Sequence, residues 1–150
     1  MEAQTALAEH LLAIYRMAKH VLAAIAERQD LNVNQVITLR LLKTRGRLTM
    51  SDLTPLLDVT RGAVTGLVDR LEEMGLVTRL HSPYDRRVIF LEPTEEGLRR
   101  LASIREAWDE QVANWAEGLA SSELDALVAS VAKLRTQAER LADDLPRDRC

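Results

Sequence analysis

The chain has 150 residues, 47% of them hydrophobic, 29% charged and only 3% aromatic, with a net charge of −3, which suits one domain with a core built mostly from aliphatic helix packing. No apolar run approaches the ~20 residues of a membrane span, and the opening MEAQTALAEH lacks the basic start and apolar centre of a signal peptide. The lone cysteine, Cys150, has neither a disulfide partner nor metal-ligand neighbours, so the expectation is a cytoplasmic protein in which Cys150 is a terminal thiol.

Taken in chain order, residues 5–28 are predicted to be helical, because Leu7, Leu11, Ile14, Ala18, Val21 and Ile25 step by three and four. Asn32 and Gln35 have the spacing of a capping box that opens a second helix, and Gly46 closes it. A third helix follows Thr49, whose partner three residues on is Asp52; Pro55 inside it deletes a hydrogen bond and predicts a kink or an early end. Residues 58–60 form a turn, and Thr60 caps a fourth helix.

That fourth helix hides Val64, Leu67, Val68, Leu71 and Met74 on one face and keeps Arg61, Thr65, Gly66 and Arg70 on the other. Gly75 stands where a left-handed helix-ending residue is favoured. Residues 76–79 and 88–91 are β-prone, and the segment between them carries Pro83, Asp85 and adjacent arginines, which predicts a hairpin with a cationic tip. Helices two to four with this hairpin behind them describe a winged helix-turn-helix that reads DNA. In the last third, Leu98, Leu101, Arg105, Trp108, Val112, Trp115 and Leu119 step at heptad spacing, broken only by Arg105. After Gly118 and two serines predicted to cap, Ser121 and Ser122, the pattern resumes with Leu124, Leu127, Val131, Leu134, Ala138 and Leu141. These seams exceed what the middle of the chain can cover, so a second copy of the chain is the economical partner, against the alternative of an intramolecular bundle.

The net acidity hides a local basic excess. Residues 1–39 hold three Lys/Arg and four Asp/Glu, residues 40–100 hold eleven and nine, and residues 101–150 hold six and ten. Arg61, Arg70, Arg79, Arg86 and Arg87 fall on one helix and its hairpin, where they can approach a phosphate backbone together. No cofactor or metal site is expected: His10, His20 and His81 are scattered, and there is neither a nucleophile motif nor a Gly-rich phosphate loop. An enzyme is therefore not the expected reading.

The strings LNVNQVITLRLLKTRGRLTMSDL, VTRGAVTGLVDRLEEMGLVTR and SPYDRRVIFLEPTEEG resemble the multiple antibiotic resistance regulator (MarR) family of bacterial transcription factors. The most specific parts are VTGLVDRLEEMGLV and the DRR wing followed by a strand and a Thr-x-x-Gly helix start. The resemblance implies a mainly α fold with a small β-hairpin wing, one MarR-like domain over residues 1–150. Residues 31–97 would be its winged helix-turn-helix, and residues 5–30 and 98–145 its dimerisation helices. It further implies a homodimeric repressor on double-stranded DNA, released from a pseudo-palindromic operator by a small aromatic or anionic effector. A winged-helix architectural or protein-interaction module without sequence-specific DNA binding is the alternative.

Carried over residue by residue, the resemblance makes Thr60, Arg61, Thr65, Gly66, Arg70, Arg79, Arg86 and Arg87 the DNA-contacting set. Arg61 is then a phosphate contact, Thr65 a base or phosphate contact, and Arg87 the wing arginine of the minor groove with Asp85 as its orienting carboxylate. Arg70 is divided between that role and pairing with Asp69 or Glu73. Gly66 stands where the family commonly has a larger, often basic residue, and Gly62 lies one turn earlier. The resemblance also places an effector pocket near Tyr15, Arg16, His20, Arg105 and Trp108, with Arg105 on its apolar seam expected to require a partner's carboxylate or an anionic ligand. Oxidant-sensing members carry a cysteine near the amino terminus, which this chain lacks.

Overall fold

The chain forms six helices and three short strands in the order α1 (Glu2–Glu27), α2 (Val33–Arg45), β1 (Leu48–Thr49), α3 (Met50–Leu57), α4 (Arg61–Glu73), β2 (Val77–His81), β3 (Ile89–Pro93), α5 (Glu95–Trp115) and α6 (Ser121–Asp143) in a computed structural model that describes residues 1–143. Cys150 and the last residues of the expected carboxy-terminal dimerisation segment, 144 and 145, lie outside the described residues. Two units are distinguished, Met1–Glu110 and the segment from Gln111 onward.

The first unit is built on local signals that agree with one another. The Asn32 side chain accepts the Gln35 N–H at 3.0 Å while the Gln35 side chain accepts the Asn32 N–H at 2.9 Å, a complete capping box. Thr49 and Asp52 form a second one at the start of α3. α3 runs through Pro55 to Leu57 and ends early, where Asp58 takes a left-handed φ of 52°. Thr60 accepts the Ala63 N–H at 3.3 Å and starts α4.

The exit from α4 explains why β2 begins one residue later than the β-prone run. Gly75, at φ 69°, lets its N–H reach the Glu72 carbonyl at 2.8 Å and the Leu76 N–H reach the Leu71 carbonyl at 2.9 Å. This pair of bonds is a Schellman ending, and the fully buried Leu71 and Leu76 bracket it. Leu76 thus belongs to the helix ending rather than to the strand. β2 then pairs antiparallel with β3 from Val77↔Pro93 to His81↔Ile89, leaving residues 82–88 as the tip.

Two further boundaries differ from expectation. β1, which no alternation announced, adds Leu48↔Leu91 and Thr49↔Phe90 to give a three-stranded sheet of order β1-β3-β2 rather than a lone hairpin. Two residues carry no periodicity, and only the β3 edge makes them a strand. At the start of α6, Ser121 and Ser122 lie inside the first turn; Ala120 is the last residue before it, its N–H donating to the Glu123 carboxylate at 2.8 Å and its carbonyl accepting from Leu124 at 3.0 Å. A glutamate three residues in therefore does the capping that was assigned to the serines.

The core of the first unit gathers Ile25 and Ala26 of α1, Val36, Leu39 and Leu42 of α2, Leu53 and Leu57 of α3, Val64, Val68 and Leu71 of α4, Leu76, Val77 and Leu91 around the sheet, and Leu101 and Ile104 of α5. Half-buried Trp108 packs against the same core. The start of α5 is locked to the end of α4. Thr94 donates its N–H to the Leu76 carbonyl and its hydroxyl to the Gly75 carbonyl, and accepts the Gly97 N–H at 3.0 Å. This is the physical content of the Thr-x-x-Gly signal: α4, the β2–β3 hairpin and α5 share one anchor.

Candidate nucleic-acid interface

Burying Val64, Val68 and Leu71 turns the opposite face of α4 to solvent, so Thr60, Arg61, Gly62, Thr65, Gly66, Asp69 and Arg70 are all exposed. Arg61 reaches back to the Ser51 hydroxyl of α3 at 3.4 Å, and the Thr65 hydroxyl donates to the Arg61 carbonyl one turn earlier at 3.1 Å. That bond uses the single hydroxyl proton of Thr65 and leaves its oxygen free to accept. A Cβ added at Gly62 or Gly66 would meet open space, so these glycines leave the middle of the face low rather than serving internal packing. Arg70 sits 3.5 Å from Glu73 at i,i+3 on the exposed surface, a pair too solvated to hold it.

The wing tip is shaped by short side chains. The Ser82 hydroxyl accepts the N–H groups of Tyr84 and Asp85, at 3.3 and 3.4 Å, and the Ser82 N–H donates to the Val88 carbonyl at 2.9 Å. The Asp85 carboxylate accepts the Arg87 backbone N–H at 2.9 Å. Asp85 thus fixes the main chain at Arg87, an Asx turn. Arg86 and Arg87 are exposed and form no salt bridge among the described residues.

Arg79 differs from the other cations. Its guanidinium, 25% exposed, donates to Asp69 at 2.5 Å and also to Glu72, both on α4. The hydrogen bond it donates to Asp69 is the main reason its pKa is raised further above the ordinary arginine value, against partial burial. No sequence spacing marks this triad, because it joins residues on different elements.

An open cleft of about 590 Å³ lies between α1, the start of α2 and α4, lined by Lys19, Asn32, Val33, Asn34, Gln35, Val59, Ala63, Gly66, Leu67 and Arg70. The residues assigned to an effector pocket do not line it: Tyr15, Arg16 and His20 are exposed on α1, and Trp108 packs on the core. Arg105 has a carboxylate neighbour on its own helix. It is exposed, and its Nε donates to both oxygens of Asp109 at 2.7 Å on the next turn, which raises its pKa. This pair lies at the i,i+4 distance that the seam pattern passes over. Among the described residues no group of three or more His, Cys, Asp or Glu is placed to hold a metal ion, and no helix is long and apolar enough to cross a membrane.

Capped helices leading into an exposed α4, a Schellman exit and a three-stranded antiparallel sheet with a projecting tip define a winged helix-turn-helix protein. The chain matches the MarR family over residues 31–89. It is 36% identical over 87 residues to the HTH-type transcriptional repressor MdtR of Bacillus subtilis, covering 58% of this chain and 56% of that protein. It is 34% identical to the HTH-type transcriptional regulator FarR of Neisseria gonorrhoeae, covering 58% of this chain and 60% of that one. The matched region thus spans little more than half the length of these relatives. Among solved structures, a MarR family protein from Bacillus stearothermophilus superposes with a TM-score of 0.82 at 26% identity, covering 93% of this chain and 98% of that chain.

Proposed function

We propose that this protein is a DNA-binding transcriptional regulator, a homodimeric repressor that binds a pseudo-palindromic operator and is released by a small effector. The observation that carries the reading is the exposed face of α4, with Arg61, Thr65 and Arg70, standing on the same anchor as a wing that carries Arg86 and Arg87 without carboxylate partners among the described residues. A helix of this width fits the major groove, and an arginine on a projecting hairpin fits a narrow minor groove, where the negative potential is enhanced. Arg61 at the helix start contacts phosphate, Thr65 accepts from or packs on base edges, Gly66 admits close backbone approach, and Thr60 holds the helix start in place. The names of the related regulators point the same way.

The homodimer is supported by the apolar stripe of α1, where Leu7, Leu11 and Ile14 are 46%, 43% and 56% exposed, more than an isolated soluble helix face normally leaves in water. Effector release is supported by the cleft beside α4. A ligand there would touch Gly66, Leu67 and Arg70 of the reading helix, with Lys19 and Arg70 supplying cations, and so would bind the DNA-free and DNA-bound states differently.

Selection from a pool of random duplex DNA tests the reading. An enriched inverted repeat is expected; no enrichment would make the fold an architectural or protein-interaction module instead. On the selected duplex, Arg87→Ala is expected to weaken binding by about 1–3 kcal/mol with folding unchanged, and equal affinity at equal salt would remove Arg87 from the interface.

A further inference from the structure

We propose that Arg79 is a positioning residue that sets the pitch of the wing against α4 and makes no contact with DNA phosphate; this rests on the DNA-binding reading above. Arg79 is the third residue of β2, and Asp69 and Glu72 are three residues apart on α4, hence neighbours on one helix face. One planar guanidinium that bonds both carboxylates fixes the distance and the roll of the strand relative to the helix together, which a single ion pair or a lysine does not. With two carboxylates around one cation, the cluster is net negative. A phosphate would have to displace both partners to reach Arg79, whereas Arg86 and Arg87 stand free of carboxylates among the described residues.

The leverage comes from length. The tip begins three residues beyond Arg79, and at about 3.3 Å per residue a tilt of about 10° at the brace displaces the start of the tip by about 2 Å, enough to take Arg87 out of register with a groove. The brace therefore acts through Arg87, and its loss should resemble a misplaced wing rather than a missing phosphate contact.

The two roles predict opposite signs for the carboxylates. Affinity for the duplex selected above is measured across a salt series for the parent, Asp69→Asn, Glu72→Gln, Arg79→Ala, Arg79→Lys and Arg87→Ala, with a melting curve for each. Asp69→Asn and Glu72→Gln are expected to weaken binding about 3- to 10-fold, although each removes a negative charge near DNA. Arg79→Ala and Arg79→Lys are expected to weaken it about 10-fold with the salt slope unchanged, while Arg87→Ala lowers the slope by about one. Tighter binding by the carboxylate variants, a slope lowered by about one in Arg79→Ala, or rescue by lysine would make Arg79 a phosphate ligand and overturn the assignment. Lower melting temperatures with unchanged affinity would also overturn it, since the triad would then serve stability alone. A parent that binds no duplex would overturn the DNA-binding reading, and this assignment with it.

Discussion

Single residues in this protein act mostly by completing a neighbour's hydrogen bonds, and Asp52 shows how. Its carboxylate accepts both the N–H and the hydroxyl of Thr49 at 2.7 Å, and the backbone bond is the main reason its pKa lies below the ordinary value of 3.8. A folded-state pKa below the unfolded one means that the stabilisation is present above pH ~4 and is lost as pH falls through the folded value. Asp52→Ala is expected to cost about 0.5–1 kcal/mol at neutral pH, towards the low end for a cap because the site is exposed. The gap between parent and variant, read from urea midpoints, should close as pH drops below about 4; a gap independent of pH would mean that the carboxylate is not the cap. Arg105 teaches the converse. Seen in sequence it is a charge on an apolar seam, yet in space it is a solvated pair with Asp109.

At the scale of elements, the glycines separate into two kinds with opposite expected effects. A Cβ at Gly97 would lie 2.2 Å from the Leu76 carbonyl oxygen and 3.2 Å from a methyl of Leu39. α5 therefore meets the end of α4 at a separation only glycine allows. Gly97→Ala is expected to destabilise by about 1–3 kcal/mol, outweighing alanine's better helix propensity. Gly62→Ala and Gly66→Ala meet open space and should stabilise by about 0.5–1 kcal/mol each. Equilibrium urea unfolding of the three variants checks the signs. A destabilised Gly66→Ala would mean that α4 is held in a conformation requiring glycine, and a neutral Gly97→Ala would mean that the Thr94 anchor has slack.

For the molecule as a whole, the question is what covers the apolar stripes of the long helices. α1 buries only Ile25 and Ala26 along its length, and α6 carries exposed Leu127 and Val131. If a second copy covers them, the intact protein sediments as a dimer, and removal of residues 120–150 yields poorly soluble or unfolded protein because the remaining stripes lose their cover. A truncation that is monomeric by light scattering and melts in one cooperative transition would refute the shared-dimer reading. The heptad on α5 is less uniform than its spacing suggests. Leu101 is buried with Ile104 in the core of its own chain, so the first turns of the helix contribute to the winged unit.

What sequence alone determined here is what travels within a few residues of the backbone. The capping boxes at Asn32 and Thr49, the early end after Pro55, the left-handed Gly75 and the apolar face of α4 depend on neighbours one to four positions away, and short-range hydrogen bonding and helical period settle them. The charge pattern likewise located the cationic helix and hairpin. Tertiary structure decided the rest. β1 exists only because β3 offers an edge; Gly97 is required only because Leu76, far away in sequence, comes within a methyl's reach; and Arg79 is claimed by Asp69 and Glu72 only once β2 folds back on α4. The difference is physical: a hydrogen bond within one turn is encoded by spacing, whereas the partner of a side chain on another element is encoded only by the packing of the whole core.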